Sequence, residues 1–257
     1  EKTAREYKIE CDFVSQSAYV FTNRDGYAER ILEEAEVASS LGIKATYVEE
    51  TPLPFKVRAA VRFDDQAQFH PLKYLLKLAE IASEKGCRIY ENTRVVDIED
   101  NVGMYILKTE NGRRIMAEKL VIASHYPCYN KAGMYFSRLW TDRSYVIAIK
   151  AKEKYPGGMY ITAEEPGRSL RSQNTDDGEL ILVGGEHHKT GQGIDTIKHY
   201  EALVDYATEH FTVLDIPYRW STQDCMTLDD IPYIGRFKSD TPNLYIATGV
   251  GKWGMTN

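Results

Sequence analysis

The sequence predicts a mixed fold, α/β in part and α+β in part, and three observations carry that expectation. Helical periodicity and strand-like runs alternate through the first half of the chain, as crossover units require. Residues 145–183 instead read as one antiparallel strand after another. The chain then closes on an apolar run, Leu244 to Ala247, led in by Pro242-Asn243 and followed by Gly249, Gly251 and Gly254. That is the pattern of a short buried strand ending in a tight turn whose backbone N–H groups approach whatever lies beyond it. Such a turn can cradle an anion or the polar edge of a flat ligand, and it is equally compatible with a plain turn that binds nothing.

Bulk properties narrow the classes. A chain of 257 residues is long enough for one large or two small domains. A net charge of −6 with the charges well mixed argues against a nucleic-acid or anionic-membrane surface. No apolar run approaches the ~18 residues of a membrane span, and no signal-peptide pattern opens the chain. Cys11, Cys87, Cys128 and Cys225 are scattered without a Cys-x-x-Cys pair, which predicts reduced thiols in a cytoplasmic protein. The chain opens on Glu1, in a stretch that reads as the tail of a helix, and closes inside its glycine motif. A fragment of a longer protein is the expectation.

In order, Ile9, Cys11 and Phe13 alternate with polar residues and Ala18 to Phe21 is apolar, predicting two strands. Asn23-Arg24-Asp25-Gly26 is a turn, with Asp25 as cap of a helix over 27–41 that turns Ile31, Leu32, Ala35 and Ala38 inward and stops at Gly42. A strand follows at 46–48. Residues 51–55 must be extended, because each proline restricts its predecessor. Residues 57–63 alternate like a half-buried strand with Arg58 and Arg62 outward. His70-Pro71 opens a helix with Leu72, Leu75, Leu76, Ala79 and Ala82 at helical spacing up to Gly86. Strands are predicted at 88–90, at 94–99, 104–109 and 113–116 as a meander turning at Asn111-Gly112, and at 120–123. The antiparallel run then takes 145–150, 159–161, 169–171 and 180–183, with a turn at Asp176-Asp177-Gly178. Residues 184–191 read as a glycine-rich loop. A helix over 194–211 turns Tyr200, Leu203, Val204, Ala207 and Phe211 inward, and 213–220 leads back to the closing motif.

That motif is Asp229-Asp230-Ile231-Pro232-Tyr233-Ile234-Gly235, then a strand ending Ala247-Thr248-Gly249, then Gly251-Lys252-Trp253-Gly254-Met255-Thr256-Asn257. It resembles the closing signature of the FAD-dependent oxidoreductases related to glycine oxidase and D-amino-acid oxidase. In that family an Asp-x-x-Pro-x-Ile-Gly segment precedes a strand ending in Ala-Thr-Gly, and a Gly-x-x-Gly-x-Thr turn meets the flavin. The wording of the last seven residues resembles the branch that carries a Rieske [2Fe–2S] domain downstream. The resemblance runs from about residue 13 to 257. It implies an antiparallel-sheet substrate domain over 10–67 and 141–224, interleaved with a partial FAD/NAD(P)-binding Rossmann-like domain over 68–140 and 225–257. The implied activity moves hydride or electrons between an amine- or amino-acid-like small molecule and flavin, and in the Rieske branch on to an iron–sulfur centre or other electron-transfer partner. The alternatives are an amino-acid oxidase proper, which makes hydrogen peroxide, and a β-rich docking module without catalysis.

By the same resemblance Val95 offers its backbone to the adenine, and Ala123, Ser124 and His125 run beside the dinucleotide. Gly249, Gly251, Trp253, Gly254, Met255 and Thr256 border the flavin ring. The alternative for Val95 and Ala123 is a plain core role. Ser124-His125 stand where the family prefers Thr-Gly. Asp224 falls about where the amino-acid oxidases place an arginine for the substrate carboxylate, which an anion would repel, leaving Arg168 or Arg171 as replacements. The fingerprint Gly-x-Gly-x-x-Gly behind a first strand, with a ribose-binding acid further on, is read as absent and as lying upstream of Glu1. The chain alone is therefore expected to bind FAD weakly, and strands beside that missing central strand to lack ladder partners. No side chain reads as a clear catalytic acid or base. His187 and His188, neighbours on an extended chain with no Cys or Asp at ligand spacing, predict no metal site.

Overall fold

A computed structural model of the chain describes residues 1–101, 103–129, 133–193 and 195–252. In chain order the elements begin with α1 (Lys2–Glu6), β1 (Val14–Thr22), α2 (Asp25–Ser40), β2 (Ala45–Val48), β3 (Ala59–Gln68) and α3 (Pro71–Glu84). Next come β4 (Val95–Asn101), β5 (Met104–Thr109), β6 (Arg114–Ala117) and β7 (Leu120–Ile122). The antiparallel run is β8 (Leu139–Ala151), β9 (Met159–Thr162), β10 (Arg168–Thr175) and β11 (Gly178–Lys189). The chain ends with α4 (Ile197–His210), β12 (Val213–Thr227), β13 (Tyr233–Arg236) and β14 (Leu244–Thr248). It divides into two compact units, residues 1–78 with 144–222 and residues 79–143 with 223–257.

The first unit is built on an eight-stranded sheet of order β12-β8-β11-β10-β9-β1-β3-β2. Residues alternate between its faces, so each strand serves two layers. Ala59 and Val61 pack with Ile31 and Ala35 of α2, while Ala60 between them belongs to the core under α4. That larger core joins Tyr19, Phe21, Ile147, Ile149, Ile181 and Val183 to Leu203 and Ala207 of α4. Burying a side chain of this size stabilises by about 1.5–3 kcal/mol each, which is what holds α4 on the sheet.

The second unit holds two three-stranded sheets, β13-β14-β7 and β4-β5-β6. β14 runs parallel to β7, Leu244 opposite Leu120 and Ile246 opposite Ile122, and β13 lies antiparallel on its other side. Their shared core gathers Ile98, Tyr105, Leu107, Ile122, Tyr135, Phe237 and Ile246. The Tyr135 hydroxyl donates to the Phe237 carbonyl at 2.9 Å, so the one polar atom of that buried ring is satisfied. Asn111-Gly112 does make the β5–β6 turn, with Gly112 left-handed at φ +79°.

Several elements differ from expectation. Residues 9–13 form no strand, because Lys8 and Asp12 adopt left-handed φ of +51° and +52°, which breaks an extended run. Cys11 is nonetheless buried, so the alternation reports burial without a ladder. Asp25 does not cap α2; it is the helix's first residue and binds Arg58 Nε at 2.5 Å. Leu32 is 41 % exposed, and Ile31, Ala35 and Ala38 alone form the buried stripe. Residues 88–90 make no strand, and 184–189, expected as loop, continue β11. Ile194 lies outside the described residues. Among the described residues no helix is long and apolar enough to cross a membrane.

Candidate functional site

Parallel pairing of β7 and β14 puts their carboxyl ends side by side, the place where open parallel sheets take ligands. Ala123, Ser124 and His125 leave β7 there. His125 is left-handed at φ +63°, a conformation that glycine adopts freely and other residues at a cost of about 1–2 kcal/mol. The chain thus keeps a glycine-like bend although the residue is histidine. Two bonds hold it: the Thr248 hydroxyl donates to the His125 carbonyl, and His125 Nε2 lies 2.8 Å from the Gln223 carbonyl. A carbonyl only accepts, so Nε2 carries the proton. The Ser124 hydroxyl donates to the Tyr126 carbonyl at 2.9 Å and accepts from the Cys128 N–H at 3.1 Å, which folds the loop back on itself.

Gly249 and Gly251 leave β14 with φ of +70° and +52°. A Cβ on Gly249 would stand 2.3 Å from Thr227 Cγ2, so that position needs glycine for space as well as for φ. The Gly251 N–H is fixed to the Cys225 carbonyl at 3.0 Å. Thr227 Oγ1 is buried and has no hydrogen-bond partner among the described residues.

β7 is the edge strand of its sheet, and a groove of about 610 Å³ opens along it. Val95, Ile98, Leu120, Ile122, Ala123 and Ser124 are among its walls. Three candidates from the sequence, Val95, Ala123 and Ser124, therefore share one groove, and the Thr248–His125 bond ties His125 to the strand that leads into Gly249 and Gly251. Trp253, Gly254, Met255 and Thr256 lie outside the described residues.

The family model for FAD dependent oxidoreductase (DAO) matches residues 1–257. The chain belongs to this family. Among its relatives, it is 40% identical over 252 residues to a Bacillus subtilis (strain 168) protein named as a Rieske 2Fe-2S iron-sulfur protein, YhfW, covering 98% of this chain and 49% of that one. The chain thus spans about half the length of that relative. In fold it is similar to glycine oxidase from Geobacillus kaustophilus, with a TM-score of 0.81 at 17% identity over 97% of this chain and 70% of that one. L-proline dehydrogenase from P. horikoshii follows with a TM-score of 0.76 at 19% identity, over 97% and 70% of the two chains. The mixed fold, with its large sheet, is glycine oxidase-like.

Against the family's pattern three groups stand out. Gly249, Gly251 and Gly254 do have Gly-x-Gly-x-x-Gly spacing, which corrects the reading that no such string occurs. What the 257 residues lack is a copy followed by a crossover helix and an acid-bearing strand. Asp224 is a side chain sequence reasoning met only as an obstacle. It is 16 % exposed and lies 3.8 Å from Lys252 Nζ. Burial pushes its pKa up, the Lys252 charge opposes that, and the Asp142 charge adds to it. Thr248 was missed altogether, since a threonine at a strand end gives no signal of the long-range bond it makes.

The arginines separate clearly. Arg168 is buried, paired with Glu186 and set 5.7 Å over the Tyr206 ring, whereas Arg171 is exposed and makes neither contact. His187 lies 3.3 Å from Glu165, and His188 binds the Tyr145 hydroxyl at 3.0 Å while stacking on His199. Both histidines thus have contacts with protein groups.

Proposed function

We propose that this chain is the catalytic part of an FAD-dependent oxidoreductase acting on an amine- or amino-acid-like substrate. Residues 68–140 and 225–257 would hold the dinucleotide, and 10–67 and 141–224 the substrate. The observation that supports it best is the parallel β7–β14 pair, with left-handed turns beyond both carboxyl ends and an apolar groove along the open edge.

The residues present fit the cofactor. Glycine-like bends at His125, Gly249 and Gly251 let backbone come close to a flat ring system, and the groove offers Val95 and Ala123 as apolar walls with few polar atoms. Val95 would face the adenine and Ala123, Ser124 and His125 the dinucleotide. Gly249 and Gly251 would border the ring, together with Trp253, Gly254, Met255 and Thr256. When bound, FAD supplies the electron acceptor for substrate oxidation, the protein supplying binding, orientation and electrostatics. In this chain Thr248 holds the His125 bend, Gly251 is pinned by Cys225, and Asp224 keeps Lys252 beside the second turn. Likeness to a relative named for a Rieske 2Fe-2S protein supports onward transfer to a [2Fe–2S] centre outside these residues. Without that route the reduced enzyme would react with oxygen and release hydrogen peroxide, as an amino-acid oxidase does.

The open edge of β7 supports a second point: a strand pairing there would complete the sheet and bring the helix N-terminus that anchors phosphates. We therefore expect the 257-residue chain to bind FAD weakly and the full protein to bind it tightly and be bleached by amine substrates. Flavin fluorescence titration of the two checks this. Tight stoichiometric binding by the chain, or a full protein that stays colourless with FAD, contradicts it, the latter favouring a docking module.

A further inference from the structure

Neighbouring strands β8 and β12 bring two carboxylates to the turn that follows β14. Leu139 of β8 and Thr227 of β12 both meet the place where a Gly249 Cβ would stand. Asp142 lies three residues from the first and Asp224 three from the second, so period-two alternation turns both acids to the opposite face. Met226 shares that face, and its Sδ lies 3.2 Å from where a Gly251 Cβ would be, so the turn passes over it. Backbone bonds on either side of Asp224 tie in both turns. His125 Nε2 donates to the Gln223 carbonyl at 2.8 Å, and the Gly251 N–H donates to the Cys225 carbonyl at 3.0 Å. Asp224 thus sits in the link between the turns after β7 and β14.

The charges there do not balance. Lys252 Nζ is 3.8 Å from Asp224 and its side chain is 55% exposed, a loose pairing that accounts for one carboxylate. His125 spends its Nε2 proton on a carbonyl. Asp142 is only 6% exposed, yet among the described residues it has no hydrogen bond and no ion pair; its charge acts on Asp224 instead. Buried carboxylates are normally paired, because leaving one without a partner is costly. Burial is the main cause of the raised Asp224 pKa, and the Asp142 charge adds to it against the pull of Lys252. A bound cation would relieve that repulsion. Among the described residues no three His, Cys, Asp or Glu side chains stand together as a metal site would require. An ammonium group needs no fixed coordination geometry and has N–H donors that two carboxylates can share.

We propose that Asp142 and Asp224 bind the ammonium group of a cationic amine beside the turn after β14. The proposal rests on the oxidoreductase reading and narrows its substrate class to amines that carry no carboxylate beside the nitrogen. A zwitterionic amino acid would set its own carboxylate against the pair, where like charges repel. Asp224 is then the group that selects what enters the site.

The test uses the full protein and three probes of one shape, tert-butylammonium, tert-butanol and 2-aminoisobutyrate, titrated by calorimetry at neutral pH. None has a hydrogen on the carbon beside its nitrogen or hydroxyl, so flavin cannot oxidise them and the heat reports binding alone. Charge-assisted hydrogen bonds predict that tert-butylammonium binds about tenfold tighter than either of the others. Asp142→Asn and Asp224→Asn keep the side-chain shape. Each should cut that preference and the double variant should abolish it, with no fall in melting temperature, since each removes a like-charge contact. Equal binding of the three probes, no binding of any, tighter binding of 2-aminoisobutyrate, or a preference that survives the double variant overturns the proposal. Flavin absorbance in the same samples reports the oxidoreductase reading separately. Flavin-bearing protein without the preference sinks this proposal alone, while absence of flavin from the unsubstituted protein would sink the underlying reading instead.

Discussion

Gly249→Ala is expected to lower stability by about 3 kcal/mol and to deprive the full protein of its flavin. Two costs add. A non-glycine residue at φ +70° costs about 1–2 kcal/mol, and the new methyl meets Thr227 Cγ2 at 2.3 Å, where overpacking costs about 1–3 kcal/mol. Thr227→Ser removes that Cγ2, so the double variant should recover the overpacking share and leave the φ share. Urea unfolding of the four proteins in the cycle measures both. Equal losses in the single and double variants would show that the contact carries no energy.

The second large effect is expected at Glu186. Its carboxylate accepts from Arg168 on one oxygen and meets His199 Nδ1 at 3.0 Å on the other, with 16% of the side chain exposed. Glu186→Ala leaves the Arg168 guanidinium buried and unpaired, a change that costs about 3–5 kcal/mol. Arg168→Met in the same background removes the stranded charge and should restore most of the loss, since apolar replacement of a buried pair is often close to neutral. A pH dependence accompanies it. Burial raises the Glu186 pKa, but the hydrogen bonds from His199 and Arg168 and the Arg168 charge outweigh burial, and the net shift is downward. The fold then binds fewer protons than the unfolded chain, so this stabilisation is complete above the ordinary carboxylate range and disappears as pH falls through the depressed value. Unfolding of the Glu186→Gln variant followed across the acid range should lack that component. An unaltered acid limb would contradict the assignment.

Much of the fold was legible because its signals are local. Pro71 with leucines at helical spacing is α3, Asn111-Gly112 is the β5–β6 turn, and the apolar run before Gly249 is β14. The misses are tertiary. Nothing in Lys8 or Asp12 announces a left-handed residue, so the alternation over 9–13 reads as a strand. The glycines at 184, 185 and 191 look like a loop, yet β11 extends through Lys189, and Gly184 and Gly185 sit in register opposite Ser169 and Arg168 of β10. The glycine turn of the candidate site stands plainly in the chain. The Thr248–His125 bond and the glycine-like bend at His125 join segments more than a hundred residues apart, and no local pattern encodes them. Arg168 and Arg171 are indistinguishable as letters; only strand register puts them on opposite faces.

On the proposed function, the turns after β7 and β14 are two sides of a single dinucleotide cradle. Amide hydrogen exchange of the full protein, with FAD and after its removal, addresses that claim residue by residue. FAD should slow exchange at both 123–126 and 249–252 together, leaving the far β4-β5-β6 turn at 111–112 unchanged. Tight flavin binding with neither turn protected would mean that the cradle lies elsewhere.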